Sequence, residues 1–377
     1  MDTSAVDGWT FRHGVTIERQ PDEMNPNVKH GLVLSPMLTS SMSTNTRATA
    51  FALPTPTALK GVSPPPSPSP VPGWRQTIVD ILHGRDTRLL LIVGPCSVHD
   101  PAAVLDYARR LAAYQRQCPR IFFVMRTYFE KPRTRKGWSG FMHDPQLDGS
   151  NDMAAGVTQS RDLLLRITAL GVPTATETLS LIAPQYIDDL ISFACIGART
   201  TESQPHRELA SGLSVPVGFK NSTTGDIDVA INSIISASEG KVFMGVDGQG
   251  RVSAIQTQGN PNCCLVLRGS ANGPNYDAAT ARHMAEQLAR ESIPTGIVID
   301  ASHGNSGKQW RKQVTVLEYL AAHRDTAVRG IMMESFLEDG NQPLSARPLR
   351  HGVSVTDECI GWEKSVGVFK CLEEQFK

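Results

Sequence analysis

The chain has 377 residues, 40% of them hydrophobic and 20% charged, which is ordinary for a globular protein with a sizeable core. Its 37 basic and 37 acidic residues cancel, so the composition argues against a nucleic-acid partner and against binding to an acidic membrane surface. No apolar run approaches the ~18 residues of a membrane span, and seven cysteines without a repeating spacing argue against a disulfide framework, so we expect a cytoplasmic protein with reduced thiols and no membrane partner.

Residues 1–73 are expected to form an N-terminal arm. Residues 1–48 show no sustained periodicity, and the stretch GVSPPPSPSPVPG at 61–73 is expected to be neither helix nor central strand because its prolines lack a backbone N–H. Composition favours a partly disordered leader with a Pro/Ser-rich linker. An arm that packs on a partner subunit is the alternative.

From Trp74 to the end of the chain at 377, short apolar runs alternate with longer amphipathic segments, which is typical of βα units around a parallel sheet. Strands are predicted at 88–94, 120–126, 173–178, 192–198, 216–220, 263–268, 296–301 and 330–334. Helices are predicted at 101–117, 153–170, 183–191, 224–238, 276–291, 308–324 and 358–375. Eight βα units favour the α/β class and a (β/α)8 TIM barrel at 74–377, preceded by an N-terminal extension.

One segment interrupts this alternation. Residues 241–256, KVFMGVDGQGRVSAIQ, have two short strand-like runs around a Gly-rich turn. This pattern predicts an inserted β-hairpin that is not needed to close the barrel.

Chemistry-bearing side chains follow nearly every predicted strand. In a (β/α)8 barrel the active site lies at the C-terminal ends of the strands, so these positions are informative. They are Cys96, Arg126, Glu177, Arg199, Lys220, Arg268, His303 and Glu334.

Four of these side chains are cations: Arg126, Arg199, Lys220 and Arg268. Together they predict a bound anion with several oxygens, such as a phosphate with a carboxylate, because an anion offsets their repulsion. The basic loop at 126–138, RTYFEKPRTRKGW, leaves the second strand and suggests a second phosphate-bearing substrate. A merely solvated loop is the alternative.

Sulfur, nitrogen and oxygen donors also occur among the strand ends. Cys96, His303 and Glu334 are three of them, and Asp357 in SVTDECIGW is a candidate fourth. This set suits a divalent Mn, Fe, Co or Zn ion acting as a Lewis acid on a carbonyl oxygen. Each residue alone is as well explained by a structural role. The local pair Cys96 and His99 is a weak zinc signal because no second pair accompanies it.

Long ordered motifs between residues 88 and 365 carry a family resemblance. They are GPCSVHDP, MRTYFEKPRT, GARTTESQ, IDASHGNS and GVSVTDECIGWE. With them, the chain resembles class I 3-deoxy-D-arabino-heptulosonate 7-phosphate (DAHP) synthases of the bacterial and fungal type. The resemblance implies condensation of phosphoenolpyruvate with D-erythrose 4-phosphate and water to give DAHP and phosphate, the first step of the shikimate pathway to chorismate and aromatic amino acids.

The resemblance also implies residue roles. The metal ligands would be Cys96, His303, Glu334 and Asp357. Phosphoenolpyruvate would bind Arg126, Lys131, Arg199, Lys220 and Arg268, and erythrose 4-phosphate would bind Arg133 and Thr134. The catalytic residues would be Lys131, which would protonate the developing alkoxide, Glu177, which would order a water, and His303.

Feedback inhibition by tyrosine or phenylalanine is implied as well, with effector-binding residues at Gln185, Ser214, Phe243 and Gly245. The family's arm reaches a neighbouring subunit, so a homodimer or homotetramer is expected. Two alternatives remain open: a related enolpyruvate-using aldol synthase with another aldose phosphate, and a non-catalytic paralogue that senses an aromatic amino acid. The paralogue would have lost at least one strand-end residue, and none is missing here.

Overall fold

Eight parallel strands form a closed barrel in the computed structural model, which describes residues 50–376. The strands are β1 Leu89–Gly94, β2 Ile121–Arg126, β3 Thr174–Glu177, β4 Phe193–Ile196, β5 Val217–Lys220, β6 Val242–Val246, β7 Val252–Gln256, β8 Cys263–Leu267, β9 Ile297–Asp300 and β10 Val328–Glu334. Their order around the barrel is β1, β10, β9, β8, β5, β4, β3 and β2, and β6 pairs only with β7. The predicted (β/α)8 barrel is confirmed.

Helices precede, connect and follow these strands. They are α1 Pro56–Val62, α2 Val71–Leu82, α3 Pro101–Tyr114, α4 Met153–Ala169, α5 Pro184–Ile187, α6 Gln204–Gly212, α7 Asp228–Ser238, α8 Ala278–Arg290, α9 His303–Ser306, α10 Trp310–Ala322 and α11 Trp362–Gln375. Short 3-10 turns follow α3 at Gln115–Gln117 and α5 at Asp188–Leu190. Within the described residues, no helix is long and apolar enough to cross a membrane.

Alternate residues of the barrel strands face opposite layers, as the pleat of a strand requires. On β1, Leu90 and Ile92 pack with the barrel interior, whereas Leu89 and Leu91 pack with the surrounding helices. All four are at most 1% exposed. Because both faces are buried, the strand reads in the sequence as one continuous apolar run.

Helix α2 closes one end of the barrel. Its Ile78, Ile81 and Leu82 join the inner cluster and are at most 1% exposed. The carbonyl of Leu82 accepts a hydrogen bond of 2.7 Å from the amide of Gly296, just before β9 begins. The closed end is therefore the N-terminal end of the strands, and the opposite end carries the site described below.

The N-terminal region needs one correction. The expectation of no helix within 61–73 is wrong at both ends, because α1 continues to Val62 and α2 begins at Val71. Proline is tolerated in the first turn of a helix, where its missing N–H would have no intrahelical partner, and Pro72 occupies such a position. The predicted boundary at 73 falls inside α2. Residues 1–49 lie outside the described residues, so the arm stays a prediction there.

The inserted hairpin is confirmed. Strands β6 and β7 are antiparallel, with Val242 opposite Gln256 and Val246 opposite Val252. One face of the hairpin is strongly exposed, with Met244 at 82%.

Candidate active site

A cavity of about 240 Å³ opens at the C-terminal ends of the barrel strands. Strand β3 ends at Glu177, β5 ends at Lys220, and β8 ends one residue before Arg268. The predicted site residues that line the cavity are Lys131, Arg133, Thr134, Glu177, Arg199, Lys220, Arg268, His303 and Asp357. Side chains far apart in the sequence therefore meet at one end of the barrel.

The remaining predicted residues of this site, Cys96, Arg126 and Glu334, are at most 1% exposed. Lys131 connects Cys96 to the cavity, since its Nζ lies 3.1 Å from the carbonyl oxygen of Cys96 and 3.2 Å from its Sγ. Arg126 donates a 3.0 Å hydrogen bond from Nη2 to Glu334 Oε1. The first contact joins Cys96 to the cavity, and the second joins the other two buried residues to each other.

Cys96, Glu334 and Asp357 form the candidate metal group. One ligand atom from each lies within 4.8 Å of the other two. Burial raises the pKa of the Cys96 thiol, and the neighbouring Glu334 raises it further. Two carboxylates beside a buried sulfur favour a bound cation, so the donor set fits a divalent metal. His303 lies outside this group of three.

Strand pairing and one loop bring the group together. Gly94 lies opposite Glu334 in the parallel β1–β10 ladder, and Cys96 follows two residues later. The loop that carries Asp357 packs on the same region, because the Cys359 sulfur accepts from the Cys96 amide at 3.4 Å. A side chain at Gly94, where φ is +153°, would press on the backbone of Arg126. Glycine therefore lets the chain turn towards the metal group at this point.

Arg126 is a fully buried cation with one free donor. Its guanidinium lies 3.9 Å from the ring centroid of Tyr128, and its Nη1 has no hydrogen-bond partner in the described structure. Burial lowers the pKa of Arg126, but Tyr128 and Glu334 outweigh that effect, so the net pKa is raised. A permanently charged group with an unused buried donor is suited to binding an anion.

The two lysines of the cavity are also kept charged. Burial lowers the pKa of Lys131, but Cys96 and Glu334 outweigh it, and the net pKa is raised. Burial likewise lowers the pKa of Lys220, which is 2% exposed, and Asp300 outweighs it. Both side chains therefore carry a proton at neutral pH.

The outer cations are held by neutral groups. Arg199 donates to the Thr134 hydroxyl at 3.2 Å, and Arg133 donates to the carbonyl of Trp138 at 2.8 Å. Arg268 donates to the carbonyl of Gly269 at 3.1 Å. Since no carboxylate hydrogen-bonds these guanidinium groups in the described structure, their charge is available to an anionic ligand.

Glu177 is the only predicted acid of the cavity outside the metal group. A Cβ at Gly197, directly after β4, would overlap Glu177 Oε1. Glycine at position 197 therefore makes room for the carboxylate in the cavity.

Asp300 is a site residue that the sequence analysis missed. It is fully buried at the end of β9, where its Oδ2 lies 3.0 Å from Lys220 Nζ and 2.9 Å from His303 Nδ1. Burial raises the pKa of Asp300, but His303 and Lys220 outweigh it, so the net pKa is well below the usual range. The signal in the sequence is that Asp300 directly follows the apolar run IVI.

A family model described as "DAHP synthetase I family" matches residues 60–370. The chain belongs to the DAHP synthetase I family.

Several curated relatives are similar to this DAHP synthetase I chain. One from Enterobacter agglomerans, "Phospho-2-dehydro-3-deoxyheptonate aldolase, Trp-sensitive", is 49% identical and the match covers 80% of this chain and 87% of the relative. The Tyr-sensitive enzyme of Escherichia coli K12 is 45% identical, with 80% and 86% covered. The Phe-sensitive enzyme of the same strain is 46% identical, with 80% and 88% covered.

A solved structure supports the same assignment. The phospho-2-dehydro-3-deoxyheptonate aldolase of Francisella tularensis SCHU S4 is 41% identical and superposes with a TM-score of 0.86, covering 88% of this chain and 98% of that one. This DAHP synthetase I chain therefore shares the architecture of that solved structure.

A second, larger cavity of about 1150 Å³ lies between the hairpin and the segment around α5. The four predicted effector residues, Gln185, Ser214, Phe243 and Gly245, all line it. Gln185 donates a hydrogen bond to the carbonyl of Val246 and so joins α5 to the hairpin. This DAHP synthetase I chain therefore brings the predicted effector residues together in one cavity, and their role stays a prediction.

Proposed function

We propose that this protein condenses phosphoenolpyruvate with D-erythrose 4-phosphate and water to give DAHP and phosphate. This reaction opens the route to chorismate and the aromatic amino acids. The observation that carries the proposal is the cavity at the C-terminal end of the barrel. It is lined by six residues predicted to bind anions and also by Glu177 and His303, and it lies beside the candidate metal group.

Phosphoenolpyruvate is held by Arg126, Lys131, Arg199, Lys220 and Arg268 in this proposal. Its phosphate and carboxylate offset the repulsion among these cations, and the unpartnered Nη1 of Arg126 supports the assignment. Arg133 and Thr134, which are both exposed, hold the phosphate of erythrose 4-phosphate in the same cavity.

A divalent Mn, Fe, Co or Zn ion would be held by Cys96, His303, Glu334 and Asp357. When bound, such an ion polarises a carbonyl oxygen as a Lewis acid. The close approach of Cys96, Glu334 and Asp357 supports three of these ligands. The fourth, His303, lines the same cavity as Asp357 and would contribute its Nε2, since Nδ1 already contacts Asp300.

Lys131 supplies the proton in the carbon–carbon bond-forming step. As C3 of phosphoenolpyruvate attacks the aldehyde carbon, the Lys131 ammonium donates a proton to the oxygen that becomes a hydroxyl. Glu177 orients the water that adds to C2 and accepts one of its protons. The C2–O bond to phosphate then breaks as the new C2 hydroxyl becomes the ketone and gives its proton to the departing phosphate. The cations hold both substrates in near-attack geometry.

Feedback control is part of the proposal. An aromatic amino acid, tyrosine or phenylalanine, binds the larger cavity, which is lined by apolar side chains such as Phe243 and by Gln185 as a polar group. A homodimer or homotetramer in the cytoplasm stays a prediction from the family resemblance. The seven cysteines, all free, suit a reducing compartment.

Product analysis with erythrose 4-phosphate, arabinose 5-phosphate and ribose 5-phosphate tests the proposed acceptor. Consumption of phosphoenolpyruvate with erythrose 4-phosphate at a rate at least ten-fold above the pentose phosphates is expected. A preference for a pentose phosphate would assign the related aldol synthase. No turnover together with binding of an aromatic amino acid would assign the sensor.

A further inference from the structure

Asp300 is the point where two separate parts of the candidate active site meet. It is the last residue of β9 and is fully buried. Its Oδ2 lies 3.0 Å from Lys220 Nζ, at the end of β5, and 2.9 Å from His303 Nδ1. One carboxylate oxygen therefore contacts both Lys220, which is predicted to bind phosphoenolpyruvate, and His303, which is predicted to bind the metal.

The other carboxylate oxygen fixes the orientation of the group. Asp300 Oδ1 accepts from the backbone amide of Ser302 at 3.0 Å and from its hydroxyl at 2.8 Å. A carboxylate held by two donors in a buried site has little freedom to rotate. The position of Oδ2 between Lys220 and His303 is thereby set by the short turn that follows β9.

Lys220 needs this carboxylate because it is 2% exposed. A buried ammonium is costly without a counter-charge. Among the described residues, Lys220 forms an ion pair with Asp300 alone. Loss of the Asp300 charge would leave the lysine buried without a counter-charge, so it would move or lose its proton.

His303 needs the carboxylate for a different reason. His303 Nδ1 lies 2.7 Å from the Ser302 hydroxyl oxygen and 2.9 Å from Asp300 Oδ2. Because the Ser302 hydroxyl donates its hydrogen to Asp300 Oδ1, both neighbours of Nδ1 act as acceptors. The ring therefore carries its hydrogen on Nδ1, and its Nε2 lone pair is free to act as a ligand. The backbone of His303 has φ of +50°, in the left-handed region that non-glycine residues rarely adopt. This uncommon backbone conformation places the ring beside Asp300 and in the cavity.

We propose that Asp300 is a positioning residue that holds Lys220 for phosphoenolpyruvate and fixes His303 in the tautomer that presents Nε2 to the metal. The inference rests on the proposed function, because it uses the metal and substrate assignments made there. Asp300 itself touches neither substrate. It acts on both sites through the two side chains that it contacts.

The test compares Asp300→Asn with wild type and with Asp189→Asn. Asparagine keeps the shape of the side chain but removes its charge. Asp189 is the matched control because it pairs with a different fully buried cation, Arg161, which does not line the active-site cavity. Manganese affinity of the chelator-stripped protein and phosphoenolpyruvate affinity are both measured by calorimetry, and circular dichroism checks folding.

Asp300→Asn is expected to lower manganese affinity by about 10- to 100-fold, the usual effect of losing such a carboxylate partner of a metal-binding histidine. Phosphoenolpyruvate affinity should fall at least ten-fold, and Asp189→Asn should change neither value more than two-fold. Affinities of a folded Asp300→Asn protein within two-fold of wild type, for either manganese or phosphoenolpyruvate, would overturn the inference.

A second measurement does not depend on the variant folding. Nitrogen-15 NMR of histidine in metal-free wild-type protein, assigned with His303→Gln, reports which ring nitrogen carries hydrogen. Hydrogen on Nδ1 supports the inference, and a ring with its single hydrogen on Nε2 contradicts it. Wild-type protein that forms no DAHP but shows the Nδ1 tautomer would contradict the proposed function and leave the contact of Asp300 with His303 supported.

Discussion

The ammonium nitrogen of Lys131 lies 3.2 Å from the sulfur of Cys96, with the carbonyl oxygen of Cys96 at 3.1 Å. The proposed proton donor thus touches a proposed metal ligand. In the proposed mechanism, a proton on Lys131 would be delivered next to the atoms that would bind the metal, where charge develops in the reaction. The contact links metal binding, assigned to Cys96, with proton donation, assigned to Lys131. Substitution of each residue tests the two roles separately.

Replacement of Cys96 by alanine removes the sulfur from the metal group. We expect metal affinity to fall by at least ~100-fold and product formation to be lost, because two carboxylates and one imidazole remain. Metal content after dialysis is the measurement. Cys371→Ala is the matched control, since Cys371 is a thiol outside the group.

His99→Ala separates this site from the local Cys96–His99 pair. His99 packs edge-on against Phe336 and is 4% exposed, so we expect some loss of stability but retained metal binding. If His99→Ala loses metal to the same extent as Cys96→Ala, the local pair is part of the site.

Replacement of Lys131 by methionine keeps most of the side-chain volume and removes the proton. We expect kcat to fall by about 10²- to 10⁴-fold, the usual range for a lost general acid. Steady-state kinetics at saturating substrates measures the loss. Lys312→Met, on the exposed face of α10, is the control. A kcat within three-fold of wild type would assign the proton to another group.

Replacement of Gly197 by alanine tests the placement of Glu177. The added Cβ would overlap Glu177 Oε1, so the carboxylate must move. We expect kcat to fall by at least ~10-fold, because small displacements of a positioned group are costly in rate. Gly367→Ala in α11 is the matched control, since a Cβ there meets nothing within 4 Å. Equal kinetics for the two variants would show that the position of Glu177 does not matter.

Replacement of Phe243 by alanine tests the larger cavity. The ring lines the space assigned to an aromatic effector. Its loss removes an aromatic contact and leaves a cavity, so inhibition should weaken by at least ~10-fold. The measurement is the ratio of rates with and without tyrosine, phenylalanine or tryptophan. Lys241→Ala, one residue before β6, serves as the control. Unchanged inhibition by the same amino acid would place the effector elsewhere.

The N-cap of α8 gives a pH-dependent prediction. Hydrogen bonds from the Thr280 hydroxyl and backbone amide hold the pKa of Asp277 below its usual value. Because the pKa is lower in the folded than in the unfolded protein, the charge stabilises the fold above the unfolded pKa, and this contribution is lost as the pH falls through the folded pKa. Asp277→Ala should cost about 1 kcal/mol at pH 7 and less at pH 3.

Thermal melting of wild type and Asp277→Ala at both pH values measures this difference. Asp277→Asn, which keeps a capping side chain without the charge, should retain most of the stability at pH 7. An equal difference in Tm between wild type and Asp277→Ala at pH 7 and pH 3 would contradict the assignment.

The barrel, and the meeting of most predicted site residues at one cavity, could be predicted because parallel strands buried on both faces read as apolar runs and because strand ends converge. Leu90 and Ile92 illustrate the buried apolar run, and Glu177 and Lys220 illustrate the convergence of strand ends. Asp300 was missed because its partner Lys220 lies 80 residues earlier, and local spacing cannot show which strand ends touch. The start of α2 was missed because prolines in a first turn look like a linker.

Metal dependence of the proposed condensation is the most direct test of the account. Chelator-stripped protein is mixed with phosphoenolpyruvate and erythrose 4-phosphate, and DAHP and phosphate are quantified before and after manganese is added. We expect no product without metal and equal amounts of DAHP and phosphate after manganese is restored. Full activity in fully stripped protein, or phosphate release without DAHP, would contradict it.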